Sequence, residues 1–143
     1  MNRASMISLL AAALCGAAVA TSVHKLGAAP APPPRLFQLR TYYPREGQMA
    51  AVKERFQKHG VEIFKRNGIE VIGFWTPHDE KEKDNKLVYM IAWPNMEASK
   101  AAWKSFGADP ERKRIWAEYN KDGDIVDHWE TVYLDPIEFS PLQ

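Results

Sequence analysis

The stretch from Phe37 to Thr76 reads strand, helix, strand, and neither strand has a face suited to water. Phe37-Gln38-Leu39-Arg40-Thr41-Tyr42-Tyr43 and Ile69-Glu70-Val71-Ile72-Gly73-Phe74-Trp75-Thr76 carry apolar side chains at both alternating sets of positions. A sheet with one wet side alternates polar and apolar residues cleanly, whereas a sheet covered on both sides does not. One domain can cover one face with its own helices. The other face calls for a second copy of the chain.

The rest of the chain extends this pattern. Pro44 ends the first strand. Met49, Val52, Phe56, His59 or Gly60, and Ile63 recur at three- and four-residue steps, which predicts a helix after Gly47. Asn67-Gly68 supplies a left-handed stop. The second strand ends at Thr76-Pro77, and residues 79–86 form a charged loop with Asp84-Asn85 as its turn. Leu87-Val88-Tyr89-Met90-Ile91-Ala92-Trp93 is a third strand closed by Pro94. Asn95 is the cap of a helix whose stripe is Met96, Ser99 or Lys100, Trp103 and Phe106. Asp109-Pro110 restarts it, with Asp as cap and Pro at the first helical position, and Ile115, Trp116 and Tyr119 continue the apolar side. A turn at 121–124 leads to a fourth strand over 125–134. The order β-α-β-β-α-β predicts an α+β, ferredoxin-like fold: an antiparallel sheet ordered 4-1-3-2 with the helices on one face. The third strand offers Leu87, Tyr89, Ile91 and Trp93 to one side and Val88, Met90 and Ala92 to the other. A bare apolar face of this kind marks an interface, and two such sheets face to face make a homodimer.

The first 20 residues differ in kind. Arg3 gives a positive start, residues 6–20 form an uncharged apolar run, and Ala18-Val19-Ala20 precedes Thr21 as a small-x-small site. These are the parts of a secretory signal peptide, cleaved after Ala20. The expected organisation is a signal peptide over 1–20, a Pro/Ala-rich linker over 21–34 and one folded domain over 35–143. The expected location is secreted or periplasmic, with no stable membrane anchor left after cleavage. Cys15 is the only cysteine, so the mature chain would have no disulfide, thiol nucleophile or thiolate metal ligand. Removing Arg3 from the 19 basic residues leaves 18, equal to the 18 acidic ones. No overall field then favours nucleic acid or an anionic membrane. The basic run Arg112-Lys113-Arg114, beside Glu111 and Glu118, reads as a solvated helix face.

No nucleophile elbow, phosphate-binding loop or dinucleotide fingerprint is present. Ser99 and Ser105 sit on a helix with no evident base. His78 and His128 follow or enter strands at opposite edges of the sheet, about 14 Å apart, so one ion could not take both within a subunit, and no metal is expected. The informative residues are polar ones on strands that should be buried. Gln38, Arg40 and Tyr42 share a face of the first strand. Val126, His128 and Glu130 share a face of its neighbour, the fourth. A buried arginine must be paired or must meet an anion. Either Arg40 pairs with Glu130 inside a filled barrel, or these residues line a small-ligand cavity with Arg40 on an anion and His128 relaying a proton. Trp75 ends its strand near His78, at the rim of such a cleft. The ligand-binding candidates are therefore Arg40, Tyr42, Trp75, His78, His128 and Glu130. No catalytic residue can be named.

Phe37-Gln38-Leu39-Arg40-Thr41-Tyr42, Gly47, His59-Gly60, and Gly68-Ile69-Glu70-Val71-Ile72-Gly73-Phe74-Trp75-Thr76, followed by Leu87-Val88-Tyr89, Trp93-Pro94, Ala102-Trp103, Phe106 and Asp109-Pro110, together resemble the NIPSNAP family. The resemblance runs over about residues 36–140. It implies membership of the dimeric α/β-barrel group, which also holds cofactor-free monooxygenases, haem-degrading enzymes and haem-dependent chlorite-decomposing enzymes. NIPSNAP proteins themselves mostly lack an assigned reaction. The exported leader departs from the mitochondrial members. The expectation is an exported, homodimeric module that binds a small apolar or anionic ligand, or acts by assembly, without a cofactor. The alternative is a cofactor-free or haem-linked oxidoreductase. There His128 or His78 would be general base, Arg40 or Tyr42 would hold developing negative charge, and His59 or His128 would be the haem ligand. A third reading is an interaction module using the loop at 79–86.

Overall fold

The protein is described here from a computed structural model covering residues 35–143. The expected signal peptide at 1–20 and the linker at 21–34 lie outside the described residues. The chain runs β1 (Leu36–Pro44), α1 (Met49–Arg55), a π-turn (Phe56–Gly60), α2 (Val61–Arg66), β2 (Glu70–Trp75), β3 (Leu87–Trp93), α3 (Met96–Ala108), α4 (Pro110–Tyr119) and β4 (Val126–Leu134). All strand pairs are antiparallel, in the order β2-β3-β1-β4. This is the ferredoxin-like α+β plan that the element order predicts.

The local signals act where the sequence puts them. Gly68 has φ 73° behind α2, and Asn67 Nδ2 donates to the Ile63 carbonyl at 2.8 Å. Asn95 caps α3 by accepting from the Ala98 amide at 2.9 Å. Asp109 caps α4 by accepting from the Arg112 amide at 2.9 Å, with Pro110 at the first helical position. The same carboxylate takes a two-pronged contact from Arg66, with both N–O distances at 2.8 Å. That contact ties the end of α2 to the start of α4.

The first helix differs from expectation in one respect. A single regular helix over 49–66 is interrupted by the π-turn, where the Val61 amide donates five residues back to Phe56. Just ahead of it Arg55 and Phe56, three and four residues after Val52, both turn inward, at 2% and 3% exposure. Gly60 permits this: a Cβ there would stand 2.7 Å from the Phe56 ring.

The strand register assigns faces. Gln38, Arg40 and Tyr42 lie opposite Ile91, Tyr89 and Leu87 on the helix-covered side. Leu87, Tyr89, Ile91 and Trp93 are all buried there, among Val52, Phe56, Ile63, Phe64 and Phe106. Tyr89 is the hub of this core, with ring centroids of Phe56, Phe64 and Phe74 at 5.5, 5.9 and 5.3 Å. The other face carries Leu39, Thr41 and Tyr43 from β1, Val88 and Met90 from β3, and Glu130, Val132 and Leu134 from β4. No helix covers this face among the described residues. Val132 and Leu134 are exposed on it.

Candidate functional site

The helix-side face of the sheet is not sealed along its whole length. Towards β4, a cavity of about 430 Å³ opens between β1, β4 and the helices. Three arginines line it from three elements: Arg40 from β1, Arg55 from α1 and Arg112 from α4. Its walls include Tyr42, Trp103, Phe106, Trp116 and Trp129.

Each arginine arrives by a local cause. Arg40 is the middle residue of the inward set of β1. Arg55 ends α1 three residues after the buried Val52, so regular helical spacing turns it to the same side. Arg112 sits three residues into α4, where the Asp109 cap fixes the start of the helix and its phase. Arg112 lies three and four residues before the buried Ile115 and the half-buried Trp116, so it shares their side.

The guanidiniums meet rings instead of carboxylates. Arg40 Cζ lies 4.5 Å from the Trp103 ring centre, with the Tyr42 and Trp129 rings at 5.6 and 5.8 Å. Arg55 Cζ lies 4.5 Å from the Trp116 ring, and Arg112 Cζ lies 5.1 Å from the same ring and 5.3 Å from Phe106. The Nε of each of the three is buried without an acceptor. Among the described residues no carboxylate forms an ion pair with any of them. The acids at the rim are engaged elsewhere. Asp124 accepts from Asn120 Nδ2 at 2.9 Å, and Asp127 meets His128 Nδ1 at 2.8 Å and Arg45 at 3.5 Å. Burial pulls the Arg55 pKa below its ordinary value, and the charge of Arg112 adds to the effect against Tyr42 and Tyr89. A cation–π contact contributes about 0.5–2 kcal/mol. The effective penalty for removing a charge from water is several kcal/mol. The rings therefore do not fully compensate these charges, and the cavity has an excess of positive charge without internal partners.

The sequence candidates divide. Arg40 and Tyr42 line the cavity. Glu130, His128, Trp75 and His78 do not. The expected Arg40–Glu130 pair is absent, because β4 pairs with β1 one residue out of that alignment. Arg40 stands opposite Thr131, while Glu130 stands opposite Thr41 on the bare face. There Glu130 accepts from the Tyr43 hydroxyl at 3.0 Å, a contact that raises the Tyr43 pKa. His128 stacks on the Tyr43 ring, centroids 4.2 Å apart, so the proton-relay role placed on it inside the cavity has no geometry. The Trp75 ring lies over Gly73, on the face away from the cavity. His78 is exposed beyond β2, and His59 packs edge-on to Tyr119. Among the described residues no histidine lines the cavity, so these residues do not fit a haem held there by an imidazole.

The sequence pattern does not single out Arg55, and it places Arg112 in a solvated basic face. That holds for exposed Lys113 and for Arg114, which reaches Glu118, but not for Arg112. Both arginines sit three or four residues from buried apolar positions, and that spacing is the available signal. Gln38, in contrast, has its carbonyl oxygen fully engaged. Its Oε1 accepts from the indole N–H of Trp93 at 3.0 Å and of Trp103 at 2.9 Å, so it supports the wall.

The NIPSNAP family model matches residues 37–141. Among curated proteins, no sequence matches the chain. A NIPSNAP family protein of unknown function from Agrobacterium tumefaciens superposes with a TM-score of 0.66 at 23% identity, over 76% of this chain and 94% of that one. An uncharacterised NIPSNAP domain protein from Burkholderia xenovorans gives 0.63 at 23% identity, over 74% and 98%. A cofactor-independent oxygenase from Streptomyces nogalater gives 0.50 at 14% identity, over 75% and 97%, a likeness of fold alone.

Proposed function

The chain belongs to the NIPSNAP family, and from that premise we propose that it binds a small organic anion in the cavity between sheet and helices. One observation carries this reading: three guanidiniums converge on one aromatic-walled space, and each keeps a buried Nε without an acceptor. Guanidinium is the side-chain group best matched to carboxylate or phosphate, because its planar fork donates two parallel hydrogen bonds. Arg55 and Arg112 supply charge at one end of the cavity. Arg40 supplies it at the sheet. Tyr42 and the half-buried indoles of Trp103 and Trp116 wall the site with apolar surface, which lowers the local dielectric and strengthens each contact.

The protein acts as a homodimer, with the bare sheet face of one copy against that of another. Val132 and Leu134 on β4, with Leu39 and Met90 inward of them, support this arrangement. The exported setting rests on the leader-like sequence of residues 1–20 alone.

Trp103, Trp116 and Trp129 give the site its own reporter. The protein would be titrated with hexanoate, benzoate and inorganic phosphate, following tryptophan fluorescence and heat. At least one anion should bind saturably, and Arg55→Met should weaken it about tenfold or more, the scale of one lost charge-assisted hydrogen bond. No binding by any of these anions, or equal binding by the variant, would overturn the reading.

A further inference from the structure

We infer that the ligand is a dicarboxylate, an organic dianion whose two carboxylates are held apart on an apolar body. The inference rests on the reading of this cavity as an anion site and adds the class of anion.

The positive charge in the cavity has two stations. At one, Arg55 and Arg112 both stand against the Trp116 ring, at 4.5 and 5.1 Å. At the other, Arg40 lies against Trp103 at 4.5 Å, with Trp129 at 5.8 Å. Phe106 links the two indoles, its ring centre 5.5 Å from each and packed edge-on to both. An aromatic strip thus runs from one station to the other. A compact anion seated at either station leaves the other unanswered. A body lying along the strip, with a negative group at each end, answers both. The volume of about 430 Å³ suits such a body, since pockets of about 300–1,000 Å³ hold organic ligands much larger than a single carboxylate.

Carboxylate fits better than phosphate because of the backbone around the cavity. Phosphate sites draw on amide N–H groups at helix N-termini. Here Phe106 and Gly107 present the last turn of α3, whose amide N–H groups are already used inside the helix. The nearby start of α4 already holds the Asp109 carboxylate on the Arg112 amide. The binding groups left are guanidinium forks, and each matches one carboxylate in a bidentate way.

The test compares matched pairs on the full protein: the dicarboxylates from succinate through azelate, the monocarboxylates hexanoate and octanoate, and inorganic phosphate. Affinities are read by calorimetry and tryptophan fluorescence. At least one dicarboxylate should bind about 10- to 100-fold more tightly than the monocarboxylate of equal length, as expected for one additional charge-assisted contact. Arg40→Gln should collapse that ratio towards one. The ratio in the unaltered protein stands as a test even if that variant fails to fold. Equal affinity for both classes, lost in Arg55→Met, would overturn the dianion and leave the anion site intact. Phosphate binding more tightly than every carboxylate would also overturn it. Silence from every probe would sink the anion site itself.

Discussion

The Arg55 guanidinium lies flush in the core at 2% exposure, with its Cζ 4.5 Å from the Trp116 ring centre and its Nε without an acceptor. The ring offsets about 0.5–2 kcal/mol of the cost of that position, against a burial penalty of several kcal/mol. A charge retained at a net cost points to function over stability. Arg55→Met keeps much of the volume and removes the charge. Urea denaturation of the ligand-free variant should show stability unchanged or raised by up to about 2 kcal/mol, while anion binding is lost. A fall of more than about 2 kcal/mol would instead make Arg55 a structural residue.

Gln38 is the opposite case, a buried residue whose carbonyl oxygen is satisfied inside the protein. Its Oε1 joins the indole N–H groups of Trp93 and Trp103. Gln38→Leu leaves two donors without an acceptor in a largely apolar setting. Each buried, unsatisfied group costs about 1–3 kcal/mol. Trp103 is only half-buried, so the expected loss is about 2 kcal/mol or somewhat more, read as a lower urea midpoint at unchanged slope. The Trp103 wall should loosen with it and weaken anion binding indirectly.

What the sequence disclosed and what it withheld have separate physical causes. Strand order, the helix caps at Asn95 and Asp109 and the turn at Gly68 depend on local chemistry, and all were legible. So was the inward placement of Arg40 and Tyr42, because residues two apart on a strand share a face. The Arg40–Glu130 pair failed because alternation gives a face only within one strand. Register between strands is set by the turns and by the bulge near Tyr43 and Pro44, and a shift of one residue exchanges the faces. Arg55 lies three residues after Val52 and beside Phe56, so helical phase puts it on the buried side, but its charge sets it outside the apolar stripe that the sequence displays. Arg112 was hidden by its neighbours, since Lys113 and Arg114 make the run look uniformly solvated.

Asp109 joins α2 to α4 through Arg66, Asn67 and the Arg112 amide, and these contacts hold its pKa well below the usual carboxylate range, with Arg66 the leading cause. The folded pKa is depressed, so the stabilisation is complete above the unfolded value near 3.9. It fades as pH falls from there towards the folded value. Asp109→Ala removes both cap and ion pair and should cost about 1–2 kcal/mol at neutral pH. Asp109→Asn keeps a good cap and should cost less. Denaturation midpoints taken at falling pH should show the gap between Asp109→Asn and the unaltered protein narrowing below about pH 4. A gap independent of pH would mean that the Arg66 contact contributes nothing.

Val132 sits on the bare sheet face, opposite Leu39 in the register and 51% exposed in the single chain. If two copies meet through this face, Val132 becomes buried against apolar neighbours, and a carboxylate there would be desolvated without a partner, at a cost of several kcal/mol. Sedimentation at micromolar concentration should give a dimer for the unaltered protein and a monomer for Val132→Asp, with the circular dichroism spectrum retained. The cavity lies on the other side of the sheet and is lined by Arg40, Tyr42 and Trp129, so the monomeric variant should still bind anions with an affinity close to that of the dimer. An unaltered protein that sediments as a monomer would remove the dimer and leave the cavity unaffected. A monomeric variant that no longer binds would show that the partner copy shapes the site through the sheet.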